Sequence, residues 1–123
     1  MREAYYEQVE NINADLVEVT RLVGSAMNRA TQALLDADLQ LAEAVIDFDA
    51  KVDLLTASID ERCFELIALQ APVATDLRVL LGAMRISSSL ERMGDLAEHV
   101  AKQQRTHQKR PRSTVQQKLA RLA

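Results

Sequence analysis

Apolar residues recur along this chain at alternating intervals of four and three, over three long stretches. In the first, about Tyr5 to Leu35, the stripe is Tyr5, Val9, Ile12, Leu16, Val19, Val23, Ala26 and Ala30. In the second, about Leu39 to Gln70, it is Val45, Phe48, Val52, Leu55, Ile59, Cys63 and Leu66. In the third, about Val73 to Gln104, it is Val79, Ala83, Ile86, Leu90, Met93, Ala97 and Val100. Such a spacing lays one apolar stripe along one face of a helix, and a repeat sustained this long is the seam of a left-handed bundle.

The connections predict how the helices are arranged. Asp36-Ala37-Asp38 separates the first two, and the Asp38 carboxylate suits an N-cap because it can accept from free amides of the next turn. Ala71-Pro72 separates the second and third; proline cannot continue the incoming helix, but its fixed φ suits a first helical turn. Links this short force neighbours antiparallel. The predicted fold is all-α, an up-down-up antiparallel three-helix bundle over residues 1–104.

The tail changes character. Residues 105–112 read as a basic linker containing Pro111. Ser113-Thr114-Val115-Gln116 has capping-box spacing, and Leu119 and Leu122 begin another stripe, so 113–123 reads as the start of a further helix in a truncated second repeat. With no complete partner in its own sequence, that stripe predicts self-association, most simply as a homodimer.

A chain of 123 residues with 48% apolar but only 3% aromatic residues makes one helix-rich domain with a modest core. A formal charge of −3 argues against a nucleic-acid module. The single cysteine, Cys63, excludes an intramolecular disulfide and sits on an apolar stripe as a small buried hydrophobe. Arg2 and Glu3 lead into an amphipathic segment, not a signal peptide, and no apolar run approaches the roughly 20 residues of a membrane span. The expected protein is cytoplasmic and does not insert into membranes.

Candidate chemistry lies in the carboxylates. Asp49 and Asp53 are four apart on the second helix, and Glu91 and Asp95 are four apart on the third. Residues at i and i+4 share a face. Counted from a turn at residue 71, Asp53 and Glu91 lie about 27 and 30 Å away, and Asp49 and Asp95 about 33 and 36 Å. The two pairs should meet side by side, where mutual repulsion favours a cation with oxygen ligands. The competing reading is a solvated acidic face neutralised by Lys51 and Arg92. His99 is one turn from Asp95 and reads as a surface histidine or a further ligand. Asp76 favours the helix dipole, and Arg78 is placed to bond acids across the bundle. Ser87, Ser88 and Ser89 with Gly82 and Gly94 suggest a low-profile surface for a partner. A ferritin-like di-metal carboxylate enzyme needs Glu-x-x-His on two helices, which neither His99 nor His107 supplies.

From about Leu16 to Lys102 the chain resembles the PhoU family of phosphate-signalling regulators. The resemblance rests on VIDFDAKVDLLTASIDERCFELIALQAPVATDLR and LERMGDLAEHVAK, which set an acidic DxxxD segment, a Gln-x-Pro-x-Ala-x-Asp-Leu-Arg turn and a Leu-Glu-Arg-x-Gly-Asp helix in order. It implies a non-enzymatic, cytoplasmic negative regulator and adaptor of phosphate uptake and phosphate-starvation signalling. The implied partners are a sensor histidine kinase and the ATPase of a phosphate ABC transporter. Family members are built from two three-helix repeats, and some bind metal clusters through E(D)xxxD motifs. By position, those ligands are Asp49, Asp53, Glu91 and Asp95, holding Fe, Mn, Zn or Mg. The alternative is a structural helical-bundle interaction module without metal.

Overall fold

The computed structural model describes residues 2–109, and all three predicted helices are present. They are α1 (Arg2–Asp36), α2 (Leu39–Gln70) and α3 (Ala74–Lys109), and each packs against both others. The described residues form an all-α three-helix bundle. α3 continues past Gln104 to Lys109, so the first part of the expected basic linker is helical. The further helix expected over 113–123 lies outside the described residues.

Asp38 closes one helix and opens the next. Its backbone N–H donates to the Ala33 carbonyl at 2.9 Å, the closure that follows a left-handed residue at a helix end, here Ala37 at φ 52°. Its carboxylate then accepts from the Leu41 N–H at 3.1 Å, as the sequence predicts for an N-cap. The second connection differs from expectation. Ala71 ends α2 in the left-handed region at φ 41°, and Pro72 precedes α3 without entering its first turn. The Val73 carbonyl accepts the first helical N–H, from Leu77, at 2.9 Å.

The predicted α1 stripe is the buried one, with Val9 partly covered. The α2 and α3 stripes are turned relative to prediction. On α2 the buried row is Ala42, Val45, Asp49, Val52, Thr56, Ile59, Cys63 and Leu66, so Asp49 and Thr56 occupy the seam in place of Phe48 and Leu55. On α3 the inner positions are Leu80, Ala83, Ser87, Leu90, Gly94, Ala97, Ala101 and Gln104. Val79, Ile86 and Met93 face outward. Small residues inside let α3 approach its neighbours closely. Ser87 is fully buried and its hydroxyl donates to the Thr56 carbonyl at 3.3 Å, so it belongs to the core and not to a partner surface. Arg78 is exposed and in no ion pair among the described residues, contrary to its expected role across the bundle.

The core tapers. Towards the α2–α3 connection it is filled by large side chains such as Ile12, Leu16, Ile59, Leu66 and Leu80. Towards the α1–α2 connection it is made chiefly of Ala26, Ala30, Ala33, Ala42, Ala97 and Ala101. Asp49 lies between Val45 of the alanine half and Val52 of the large-residue half. An ion pair between Arg62 and Asp15 ties α2 to α1 at the edge.

Two glycines inside α3 have opposite surroundings. A Cβ at Gly82 would touch nothing within 4 Å, whereas one at Gly94 would lie 3.2 Å from Asp49 Oδ1 and 3.3 Å from Val52 Cγ1. Gly82→Ala should therefore stabilise the protein by about 0.5–1 kcal/mol through backbone entropy. Gly94→Ala gains the same entropy but must displace Asp49 and Val52, so it should fall clearly below Gly82→Ala in a urea titration. Equal midpoints for the two variants would show that α2 and α3 are not in close approach at Gly94.

Candidate metal centre

The seam rotation decides where the acids stand. Asp49 is 7% exposed and holds a core position on α2. Asp53, one turn on, is exposed, as is Asp95 on α3. One carboxylate oxygen from each of Asp49, Asp53 and Asp95 lies within 4.8 Å of the others. Glu91, half-buried, is outside this group. A further acid, Glu98, stands beside Asp49 and shares a hydrogen bond with its carboxyl.

Side-chain direction accounts for the change of partner. Every Cα–Cβ bond leans towards the N-terminus of its helix. In an antiparallel pair the α2 side chains lean away from the connection and those of α3 lean towards it. An acid on α2 therefore meets an α3 residue farther from the turn than a count of backbone heights gives. Asp49 therefore reaches Glu98 as well as Asp95, and Asp53 groups with Asp95 and not with Glu91. The sequence holds a signal for Glu98: it follows Asp95 by three residues and so shares its face.

The electrostatics are those of a crowded, partly dry carboxylate patch. Burial, the hydrogen bond with Glu98 and the nearby charges of Asp53, Glu98 and Asp95 push the Asp49 carboxyl up to about 7. Burial, with Asp95 and Glu98 beside it, also raises Asp53. Glu98 is lowered, by its hydrogen bond with Asp49 and by Lys102, with which it forms an ion pair. Asp49 is thus the proton holder and donates to the Glu98 carboxylate. Its Oδ1 is buried with no hydrogen-bond partner among the described residues.

The cations expected to neutralise this patch are engaged elsewhere or stand apart. The Lys51 ammonium lies 5.7 Å from the centre of the Phe48 ring, with the Arg29 guanidinium at the same distance. Arg92 is exposed and forms no ion pair among the described residues. His99 is exposed and lies 3.4 Å from Gln103. An orphaned buried oxygen, two further carboxylates within reach and an all-oxygen donor set together fit a hard or intermediate cation. Asp49, Asp53 and Asp95 are the residues placed to hold it.

Comparison with known proteins agrees with the motifs. The PhoU domain model matches residues 16–104. The phosphate-specific transport system accessory protein PhoU homolog 2 of Mycobacterium bovis is 52% identical over 102 residues, covering 83% of this chain and 48% of that protein. The PhoU homolog of Aquifex aeolicus is 42% identical over 96 residues, or 78% of this chain and 43% of that protein. The Serratia marcescens accessory protein PhoU is 35% identical over 107 residues, covering 85% and 44%. The chain spans about half the length of these relatives. With the domain model covering most of it, and the motif residues Asp49, Asp53, Asp95 and Gly94 gathered at one α2–α3 junction, the chain belongs to the PhoU family.

Proposed function

We propose that this chain is a regulatory accessory element of phosphate uptake and phosphate-starvation signalling, acting by binding and not by catalysis. Its relatives are named as accessory proteins of a phosphate-specific transport system, which supports that setting. In this reading it works in the cytoplasm, as a homodimer, on a sensor histidine kinase and a transporter ATPase. Among the described residues no helix is long and apolar enough to cross a membrane.

The observation that carries the finer reading is the group Asp49, Asp53 and Asp95, with Asp49 Oδ1 buried and without a hydrogen-bond partner. A bound divalent or trivalent ion, of the Fe, Mn, Zn or Mg class, would neutralise these charges and fasten α2 to α3. Asp49 would supply the buried ligand, and Asp53 and Asp95 the ligands at the solvent edge. Gly94 leaves the space beside Asp49 that a side chain would fill.

Calorimetric titration of the chelator-treated protein with Mn²⁺, Zn²⁺ and Mg²⁺ tests this. At least one ion should bind the wild type. Asp49→Asn combined with Asp95→Asn should abolish binding while the far-UV circular dichroism stays helical. Glu91→Gln should change the affinity by less than about threefold, or under about 1 kcal/mol. Unchanged stoichiometry in the double variant would sink the site and leave a helical interaction module without metal.

The chelated protein should also depend on pH in a defined direction. Asp49 is raised from 3.8 to about 7 on folding. Between those values the folded chain holds a proton that the unfolded chain has released, so stability falls as pH rises through this window. Asp53 acts in the same sense, while the lowered Glu98 contributes oppositely, and only as pH falls through the ordinary carboxylate range. The melting temperature without metal should drop by several degrees from pH 5 to pH 8, corresponding to about 1 kcal/mol or more. Asp49→Asn should flatten that slope, and a melting temperature that climbs across the range would contradict the buried, proton-holding Asp49.

A further inference from the structure

α3 carries a second apolar row that the bundle does not cover. Val79, Gly82, Ile86, Ser89, Met93 and Leu96 keep the three–four alternation of the buried seam, but on the flank turned away from α2. Val79 is 47% exposed, Ile86 52%, Met93 44% and Leu96 53%. Gly82 sits in this row above open space, so the cost of a glycine inside a helix brings no packing gain among the described residues. From Val79 to Leu96 the row runs about 26 Å.

A basic row borders it on the solvent side. Arg78, Arg85, Arg92 and His99 recur at every seventh residue, and all four are exposed. None of the three arginines forms an ion pair among the described residues. In a coiled coil the apolar row would be the a and d positions. The basic row would be the g positions, where charges choose the partner.

We infer that this face of α3 docks an amphipathic helix of another protein, one whose apolar stripe is flanked by carboxylates at heptad spacing. Charge decides the occupant. Two copies of α3 packed antiparallel about a two-fold axis would set arginine against arginine at the g positions. A parallel pair would need the opposite border of the row, and there Ala83, Leu90 and Ala97 are already in the core. An acidic helix instead meets the guanidinium row with complementary charge, while Gly82 and Ser89 let its backbone come close. The inference does not rest on metal binding, since Asp95 is grouped with α2 acids on the other flank of α3.

The test uses the full chain and a synthetic helical peptide of three heptads, with leucine at a and d and glutamate at the flanking positions. A matched peptide carries lysine in place of glutamate. Fluorescence anisotropy should show binding of the glutamate peptide, weakened by salt, and little binding of the lysine peptide. Arg85→Glu with Arg92→Glu should weaken the glutamate peptide at least about tenfold and bring in the lysine peptide. Ile86→Asp should remove binding of the glutamate peptide, with circular dichroism confirming that these exposed substitutions leave the bundle folded. Equal binding of the two peptides, no binding of either, or indifference to charge reversal would overturn the proposal. So would sedimentation showing a wild-type dimer that Ile86→Asp disperses while the glutamate peptide fails to bind, which would make the row a contact between copies.

Discussion

A carboxylate in the seam of a helical bundle is the constraint around which this molecule is arranged. Burying an unpaired charge is costly enough that the group either finds partners or takes up a proton. Asp49 lies in the row that holds α2 against its neighbours, between Val45 and Val52. Gly94 faces it because a side chain there would press on its oxygen. Glu98 shares its proton, and Lys102 and Arg105 hold Glu98 ionised. Thr56 and Ser87, both buried, continue the polar line along the α2–α3 contact. The helices meet closely here through small and polar side chains, and the geometry of the carboxylate group follows from that closeness.

Much of the fold was legible in the sequence because three long helices with short links leave few alternatives. The α1 stripe was read correctly: its core positions are apolar, so hydrophobicity and burial coincide. On α2 and α3 they separate. Phe48 and Leu55 attracted the stripe away from Asp49 and Thr56, and Ile86 and Met93 drew it away from Ser87 and Gly94. Hydrophobic periodicity follows the largest apolar residue nearby, and it departs from burial where a seam is built from glycine, serine and a carboxylate.

The candidate site was partly legible for a related reason. Acid spacing and helix height brought Asp49, Asp53 and Asp95 to one level, and the structure gathers these three. Backbone heights bring Glu91 level with Asp53, but side chains lean along the helix axes, and Asp95 and Glu98 stand at the site. By position the resemblance points to the Glu91–Asp95 pair, of which the structure gathers Asp95 with Asp49 and Asp53. The protonation of Asp49 could not be seen at all without knowing that its position is internal.

The unequal filling of the core has a consequence for how the bundle opens. A buried leucine or isoleucine contributes about 1.5–3 kcal/mol, a single buried carbon such as an alanine methyl about 0.8. The end built on Ala26, Ala30, Ala33, Ala42, Ala97 and Ala101 is held by much less apolar area than the end built on Ile12, Ile59, Leu66 and Leu80. Local opening should therefore begin where α1 turns into α2, and amide exchange should be graded along the axis and not uniform. Asp49 stands at the boundary between the two halves. Anything that fastens α2 to α3 at that level closes the loose end onto the firm one, so occupancy of one small site can set the stiffness of half the molecule.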